Sequence, residues 1–438
     1  MPILSSSIGD LILSLFSIFT SPTQQTFAEL VFGWIMAGGK RAISSVIKAM
    51  EGVRSKSYST YLGFFSKAKW DVDQLGLAVC SVAVRFFYAG RSFLYTTGDD
   101  TISRRSGPKV YGAGIHYDCS NFKATWSNSW VVLSLLVKVP FLPRPISIPI
   151  LFRLYLSEKT CQKLCAPSET RSELMAETLQ IFRSRFSDYR IILSTDGAYA
   201  NNILLSSLPL NVDLVSRVQK NARFYELPKK ERRRRRGRPC KKGEKLSKLP
   251  QIAEEGSMPW IRAELKKYGK TRKRLLKAFL CLWYRVGKTR PILLVIVRDP
   301  EGKEQDQYFF TTNEELSPAE VAELIAARWS IEVAFWESKT LLGLEDNRFW
   351  VKKSVSRVAP FVFLIESIVK IWFCKWGHKG AYFSLGRAEW YHKERATFSE
   401  MSNTLRAELL ASEISRTSMS RPLKRKIIRL LRNIAWAA

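Results

Sequence analysis

Residues 190–197 read RIILSTDG, a short apolar run that stops at an aspartate and a glycine. Ile191, Ile192 and Leu193 in a run of this length, bounded by turn-forming residues, predict a strand that ends at Asp196. A second run of the same design lies upstream: Leu94 to Asp100, LYTTGDD, ends in Asp99 and Asp100. Between them, SWVVLSLLV begins a further strand at Ser129, and residues 169–183 carry a helical pattern with Leu174, Met175, Leu179, Ile181 and Phe182 available for a core. After Asp196 come a short helix candidate over 201–208 and the strand VDLVSRV. Strands alternating with helices over residues 91–220 predict an α/β domain. In open α/β sheets function collects beyond the carboxyl ends of the strands, where Asp99 and Asp196 are expected to fall.

A third acidic residue stands out in AARWSIEVAFWESKTLLG, Ala326 to Gly343, which reads as one amphipathic helix. Leu324, Ile331, Phe335 and Leu342 form its apolar stripe, and Arg328, Glu332 and Lys339 stack on one side at spacings of four and seven. Ser317 as N-cap, Pro318 at the first helical position and Glu320 three residues after the cap predict where the preceding helical turn starts. An ion-paired solvent face accounts for Arg328, Glu332 and Lys339 as well as a functional one does. Three acidic sites far apart in sequence can also converge on one divalent metal centre. Carboxylates are the residues that chemistry needs, because Mg²⁺ takes hard oxygen ligands, and two such ions would activate a water or 3′-hydroxyl and steady the leaving oxygen in phosphoryl transfer.

The composition agrees with a polyanionic partner. Lys and Arg number 70 against 39 acidic residues, a formal net charge of +31 over 438 residues, with 46% apolar residues to fold around. Such an excess points to nucleic acid or an anionic surface and says nothing of fold. Seven cysteines without dense spacing exclude a disulfide framework, and CQKLC (Cys161, Cys165) lacks a second pair at zinc-finger spacing. With His116, His378 and His392 as the only histidines, a histidine-rich metal site is excluded, leaving oxygen ligands and Mg²⁺ or Mn²⁺. The run LILSLFSIFTS lacks a basic leader and reads as a core helix segment. In VVLSLLVKVPFLPRPISIPILF, Lys138 and four prolines from Pro140 to Pro149 break the apolar stretch, predicting a buried strand and then a Pro-rich loop, with no membrane span.

Around this centre the chain divides into five stretches. Residues 1–90 read as helical, with Phe27, Leu30, Val31, Trp34 and Ile35 in one periodic run and Asp71 to Phe87 in another. Residues 91–220 are the first part of the α/β domain. Residues 221–315 form an insertion that opens with KKERRRRRGRPCKKGEK, a basic arm whose Arg232, Arg233, Arg234, Arg235 and Arg236 suit phosphate contact in a salt-dependent way. The insertion ends in two strands turning at Asp299–Gly302. Residues 316–375 return to the α/β domain with the Glu332 helix and a buried apolar helix, VSRVAPFVFLIESIVKIWFC. Residues 376–438 close with a basic amphipathic helix, RPLKRKIIRLLR.

Arg328-Trp329-Ser330-Ile331-Glu332, with Lys339 seven residues on and Gly343 beyond, closely resembles the signature of DDE transposases from bacterial insertion sequences, in the group with a Tyr-Arg-Glu-Lys motif. The family's tyrosine falls at Ile325. Asp99-Asp100-Thr101 with the following His116-Tyr117-Asp118 resembles the first-aspartate block, and Asp196-Gly197-Ala198-Tyr199 the second. The resemblance implies a ribonuclease-H-like mixed-sheet domain with a β-rich insertion and helical terminal regions. It implies catalytic, metal-holding Asp99, Asp196 and Glu332 with Asp100 as second choice, and Arg328 and Lys339 on DNA phosphates. Further implications are two Mg²⁺ ions with Mn²⁺ as the alternative, cleavage of transposon ends and strand transfer into target DNA, and end binding by residues 1–90. A homodimer or multimer on DNA, a cytoplasmic, nucleoid-associated setting in a prokaryote and no membrane complete the expectation. Three alternatives stay open: a metal-dependent nuclease on the same scaffold, a catalytically decayed basic DNA-binding protein and, last, a membrane-associated protein. Trp126, Trp130 and Trp283 are candidates to stack on a displaced base, or core tryptophans.

Overall fold

Strand β1 (Phe93–Arg104) is the axis of a ten-stranded mixed sheet in the computed structural model, which describes residues 2–118, 121–228, 240–256, 258–385, 387–388, 391–424 and 427–428. On one side β1 pairs antiparallel with β3 (Lys123–Val137), which carries both β2 (Gly114–Asp118) and β4 (Ile146–Tyr155) antiparallel along its far edge. On the other side β1 runs parallel to β5 (Arg190–Thr195), and β5 parallel to β6 (Val212–Arg217). The order β4-β3-β1-β5-β6, antiparallel then parallel, is an α/β arrangement consistent with a ribonuclease-H-like fold. The strands that follow, β7 (Ile261–Lys267), β8 (Lys270–Leu282), β9 (Pro291–Arg298) and β10 (Gln307–Thr311), continue the same sheet beyond β6 in the order β10-β9-β8-β7.

One expectation needs correction. The Pro-rich stretch after β3 is a loop only as far as residue 145, and Pro149 lies inside β4. A proline has no N–H to donate and sits in a sheet where no ladder bond is demanded. That condition holds here: β4 pairs with β3 alone, and the register shifts between Leu133 and Ser134, where Pro149 is paired. The Pro149 carbonyl instead accepts a hydrogen bond from Ser367 Oγ at 2.7 Å.

The longer helices are α1 (Ser21–Met36), α2 (Tyr58–Ser66), α3 (Val72–Phe87), α4 (Arg171–Arg185), α5 (Pro318–Arg328), α6 (Ser330–Leu341), α7 (Lys352–Lys375) and α8 (Phe398–Ser415). Asp71 caps α3, and capping boxes at Thr170 and Ser317 start α4 and α5. The apolar helix read over the 350s and 360s is α7, buried along nearly its whole length between β4, α3 and the N-terminal helices. Phe361 is the hub: the rings of Trp34, Phe64 and Phe65 lie 5.6, 5.6 and 5.3 Å from its centroid, mostly edge to face. Residues 1–90 therefore share one core with α7 and the sheet. Among the described residues no helix is long and apolar enough to cross a membrane. Most of the basic C-terminal stretch from Arg421 lies outside the described residues.

Charge inside α7 explains why it is not a membrane span. Lys370 Nζ pairs with Glu337 Oε2 of α6 at 2.8 Å and with Glu366, and donates to Ser147 O at 3.2 Å; Ser338 Oγ donates to Glu366. Burial, reinforced by Glu337, pushes the Glu366 carboxyl up to about 8, while Lys370 opposes the shift. Lys370→Met leaves Glu337 and Glu366 buried without their cation, and urea unfolding should show a loss of about 3–5 kcal/mol; a loss under about 1 kcal/mol would contradict the pairing. The folded chain also keeps a proton on Glu366 that the unfolded chain releases near the ordinary carboxylate range. Stability from this group is full at low pH and falls as pH rises toward about 8. Glu366→Gln should flatten that decline in urea titrations spanning the window.

Candidate active site

The parallel pairing of β1 with β5 ends at Gly98 and Thr195, one residue short of Asp99 and Asp196. Neighbouring strands lie about 4.8 Å apart, so the two aspartates start from adjacent backbone positions. Asp196 follows its strand, as expected. Asp99 does not end one: β1 runs on to Arg104, paired there only with β3, so Asp99 sits inside a strand but beyond the end of its parallel neighbour. Gly98 makes the close packing possible, since a Cβ there would lie 2.6 Å from Met175 Cε of α4. The Asp196 turn is held from below by Ser216 Oγ, which donates to the Asp196 carbonyl at 2.9 Å.

Alternation along β1 sends Asp99 and Asp100 to opposite faces. Asp100 meets α4: Arg171 Nε is 3.1 Å from Oδ2, and Tyr199 donates to Oδ1 at 3.2 Å. Asp99 meets the helices carrying Glu332. These are two helices, not the single one expected over Ala326–Gly343. The helix is interrupted at Trp329, whose backbone stays in the right-handed helical region: α5 packs on the apolar side chains of β6–β10 whereas α6 packs on β1 and β4. The predicted stripe is buried, yet Leu324 belongs to one core and Ile331, Phe335 and Leu342 to the other. Ile325 is buried against the first of these, beside Leu265 and Val297.

Arg328, the last residue of α5, ties the site together. Nη1 lies 2.5 Å from Asp99 Oδ2, 229 residues away in sequence, and Nη2 lies 2.6 Å from Glu332 Oε1. Its Nε is buried without an acceptor among the described residues. Burial lifts the Asp99 carboxyl to about 7; Arg328 opposes this, and Asp100 and Glu332 add to it. Asp100 is raised too, by burial against the pull of Arg171, with Asp196 contributing. Asp196 also acts electrostatically on Arg328, after Asp99 and Glu332, the two carboxylates the guanidinium contacts.

Other candidates are placed differently. Lys339 is partly buried near Glu345, Asp118 and Arg104, and burial lowers its pKa. Arg232 to Arg236 lie outside the described residues, although the arm's base is pinned by a bridge between Tyr225 and Lys245. Trp130 is a core residue, Trp126 donates to Gly107 O at 3.1 Å, and Trp283 packs on Phe224 and Phe310. Flanking Glu332 are instead Trp329 and Trp336, 40% and 58% exposed, three residues before and four after. Aromatics on the polar side of an amphipathic helix were the signal for them. Arg171 had none, being one more basic residue beside a helix cap.

Further contacts fix α6 in place. Trp34 Nε1 donates to Leu342 O at 3.0 Å, and Arg105 reaches Leu344 O and Asn347 O. Gly343 closes the helix at φ +66, where a Cβ would meet Asp346 Oδ2 at 2.4 Å.

Asp99, Asp196 and Glu332 offer the oxygen donors that Mg²⁺ or Mn²⁺ takes. As placed, Arg328 lies between Asp99 and Glu332, and no group of three or more His, Cys, Asp or Glu side chains among the described residues is set to hold a metal ion.

The chain matches the family described as DDE superfamily endonuclease over residues 14–275, more than half its length, and the one described as archaeal putative transposase ISC1217 over residues 279–372. The first match contains Asp99 and Asp196, the second Glu332. Among solved structures, the piggyBac transposase synaptic complex with hairpin DNA is similar over 93% of this chain and 76% of that chain, at 11% identity and a TM-score of 0.40. No curated protein matches. With its mixed sheet, acidic cluster and family match together, the chain belongs to the DDE superfamily endonucleases.

Proposed function

We propose that this scaffold is a transposase that cuts DNA at transposon ends and joins the freed 3′-hydroxyl to target DNA. The observation that carries the reading is the meeting of Asp99 from β1 and Glu332 from α6 on Arg328, with Asp196 following the parallel neighbour strand β5. Asp99, Asp196 and Glu332 would hold the divalent ions, which when bound supply an activated water or 3′-hydroxyl and stabilise the leaving oxygen. For these carboxylates to take up an ion, Arg328 lets go of at least one of them. Its planar fork is then free to grip a phosphate in two-point fashion. Asp100, engaged by Arg171 and Tyr199 on the other face, steadies the strand and stays outside the ion site. Trp329 and Trp336 offer exposed ring faces to a base displaced from the duplex, where stacking is worth about 1–3 kcal/mol per base. Residues 1–90 would add contacts to the element's ends through exposed Arg54, Lys67 and Lys69, and a dimer or larger multimer would pair two ends.

Asp99→Asn, Asp196→Asn and Glu332→Gln should each abolish Mg²⁺-dependent cleavage of end DNA, by at least about a thousandfold, while leaving DNA affinity within a few fold. Cutting at wild-type rate by all three variants would overturn the assignment. A cut product with no 3′ end joined to target would leave a nuclease, and binding without cutting by the wild type would leave a decayed enzyme. Replacing Arg232 to Arg236 by glutamine should weaken DNA binding and flatten its dependence on salt; superimposable curves would exclude a phosphate-contacting arm.

A further inference from the structure

A second basic surface, distinct from the arm at residues 229–242, is built by the hairpin of β7 and β8. Its fourteen positions from Ile261 to Arg274 carry seven basic residues and one acid, Glu264. Two of the seven are spent internally: Arg274 pairs with Asp299 at 3.0 Å and Glu304 at 2.8 Å, and Lys267 with Glu304 at 3.1 Å. The other five, Arg262, Lys266, Lys270, Arg272 and Lys273, are exposed, and none forms an ion pair among the described residues. Strand alternation and the pairing of β7 with β8 put Arg262, Lys266 and Lys273 together on the face opposite buried Leu265, and Lys270 and Arg272 on the Leu265 face; four residues of strand span about 13 Å, so the first three reach more than one phosphate of a duplex.

The hairpin is held firmly and points at the site. Leu265 is buried against Val321, Leu324 and Ile325 of α5, and the Lys266 N–H donates to Glu323 Oε1 at 2.9 Å. At the tip, Arg144 Nε donates to Tyr268 O at 2.7 Å, and the Tyr268 ring stands edge-on to Trp329 at 5.5 Å. Trp329 directly follows Arg328. Isolated surface lysines need no explanation; three unpaired cations sharing one face of a pinned hairpin, whose tip touches the residue after Arg328, do.

We infer that the β7–β8 hairpin is a preformed clamp for the phosphate backbone of duplex DNA, holding the segment that flanks the cut in line with Asp99 and Glu332. The inference rests on DNA being the substrate of the acidic site. Because both ends of the hairpin are already fixed, little ordering opposes binding, and the grip is independent of base sequence.

The test uses the full chain and a duplex of roughly 40 base pairs with no special sequence, with affinity read by anisotropy from about 50 to 300 mM salt. The threefold variant Arg262→Gln, Lys266→Gln and Lys273→Gln should lower the slope of log K against log salt by about 0.9 for each phosphate no longer neutralised, about two to three in all. A control removing four exposed charges elsewhere, at Lys159, Lys163, Lys220 and Lys379, should leave the slope within about one unit of wild type. A photo-cross-linking residue at Thr271 should attach to the DNA. An unchanged slope in the hairpin variant, an equal fall in the control, or loss of binding to phosphatidylserine vesicles with duplex binding intact would each overturn the clamp while the site reading stands. Failure of the wild type to bind any duplex would instead overturn the site reading and the clamp with it. Thermal unfolding of each variant separates a weakened grip on DNA from a loosened fold.

Discussion

The guanidinium of Arg328 sits between a strand carboxylate and a helix carboxylate, and the geometry of the whole site depends on it. Asp99 and Glu332 are like charges brought together in a half-buried place, where they would repel. A fork with two donor edges satisfies both at 2.5 and 2.6 Å and sets their separation. Arg328 holds that position because α5 ends on it: the helix is seated on one apolar core, the next helix on another, and the break at Trp329 turns the arginine inward toward β1.

The rest of the molecule keeps α6 from shifting against β1. On the side away from Asp99, Glu337 binds Lys370 of α7, so the helix carrying Glu332 is locked to the most buried helix of the fold. At its far end the carbonyl of Leu342 receives the indole N–H of Trp34, from a helix at the start of the chain. Arg105, just past β1, takes the carbonyls of Leu344 and Asn347. Buried charge of this kind costs desolvation and is retained where a single arrangement is needed. The N-terminal helices thus support the site.

Local chemistry made much of this readable in advance. Ser317, Pro318 and Glu320 mark a helix start by hydrogen-bonding rules that act within four residues, and the strands ending near Asp99 and Asp196 announce themselves by apolar runs. What could not be read depended on partners distant in sequence. Nothing around Trp329 signals a break, since no glycine or proline is there; competition between two cores decides it. Pro149 argues against a strand unless β4 is known to lie on an edge with a shifted register. That Arg328 faces a carboxylate rather than solvent, and that Asp100 faces away, both follow from which side of β1 the helices occupy.

Sheet order alone would put β7 far from β1, at the opposite edge and beyond β5, β6, β10, β9 and β8. Yet Tyr268, at the β7–β8 turn, reaches Trp329 beside Arg328. The reason is α5. Val321, Leu324 and Ile325 are apolar, and each of the strands β5 to β10 touches this helix, so the right-handed twist of the sheet is drawn into a trough around it. Burying α5 on so many strands is what curls the outer hairpin back to the acidic cluster. The residues between β6 and α5 are therefore not appended to the edge of a finished site: the same packing that ends α5 at Arg328 also brings the tip of a basic hairpin to its neighbour. A change that loosened Leu265 or Ile325 from the trough would move both the hairpin and the arginine, because one helix holds them.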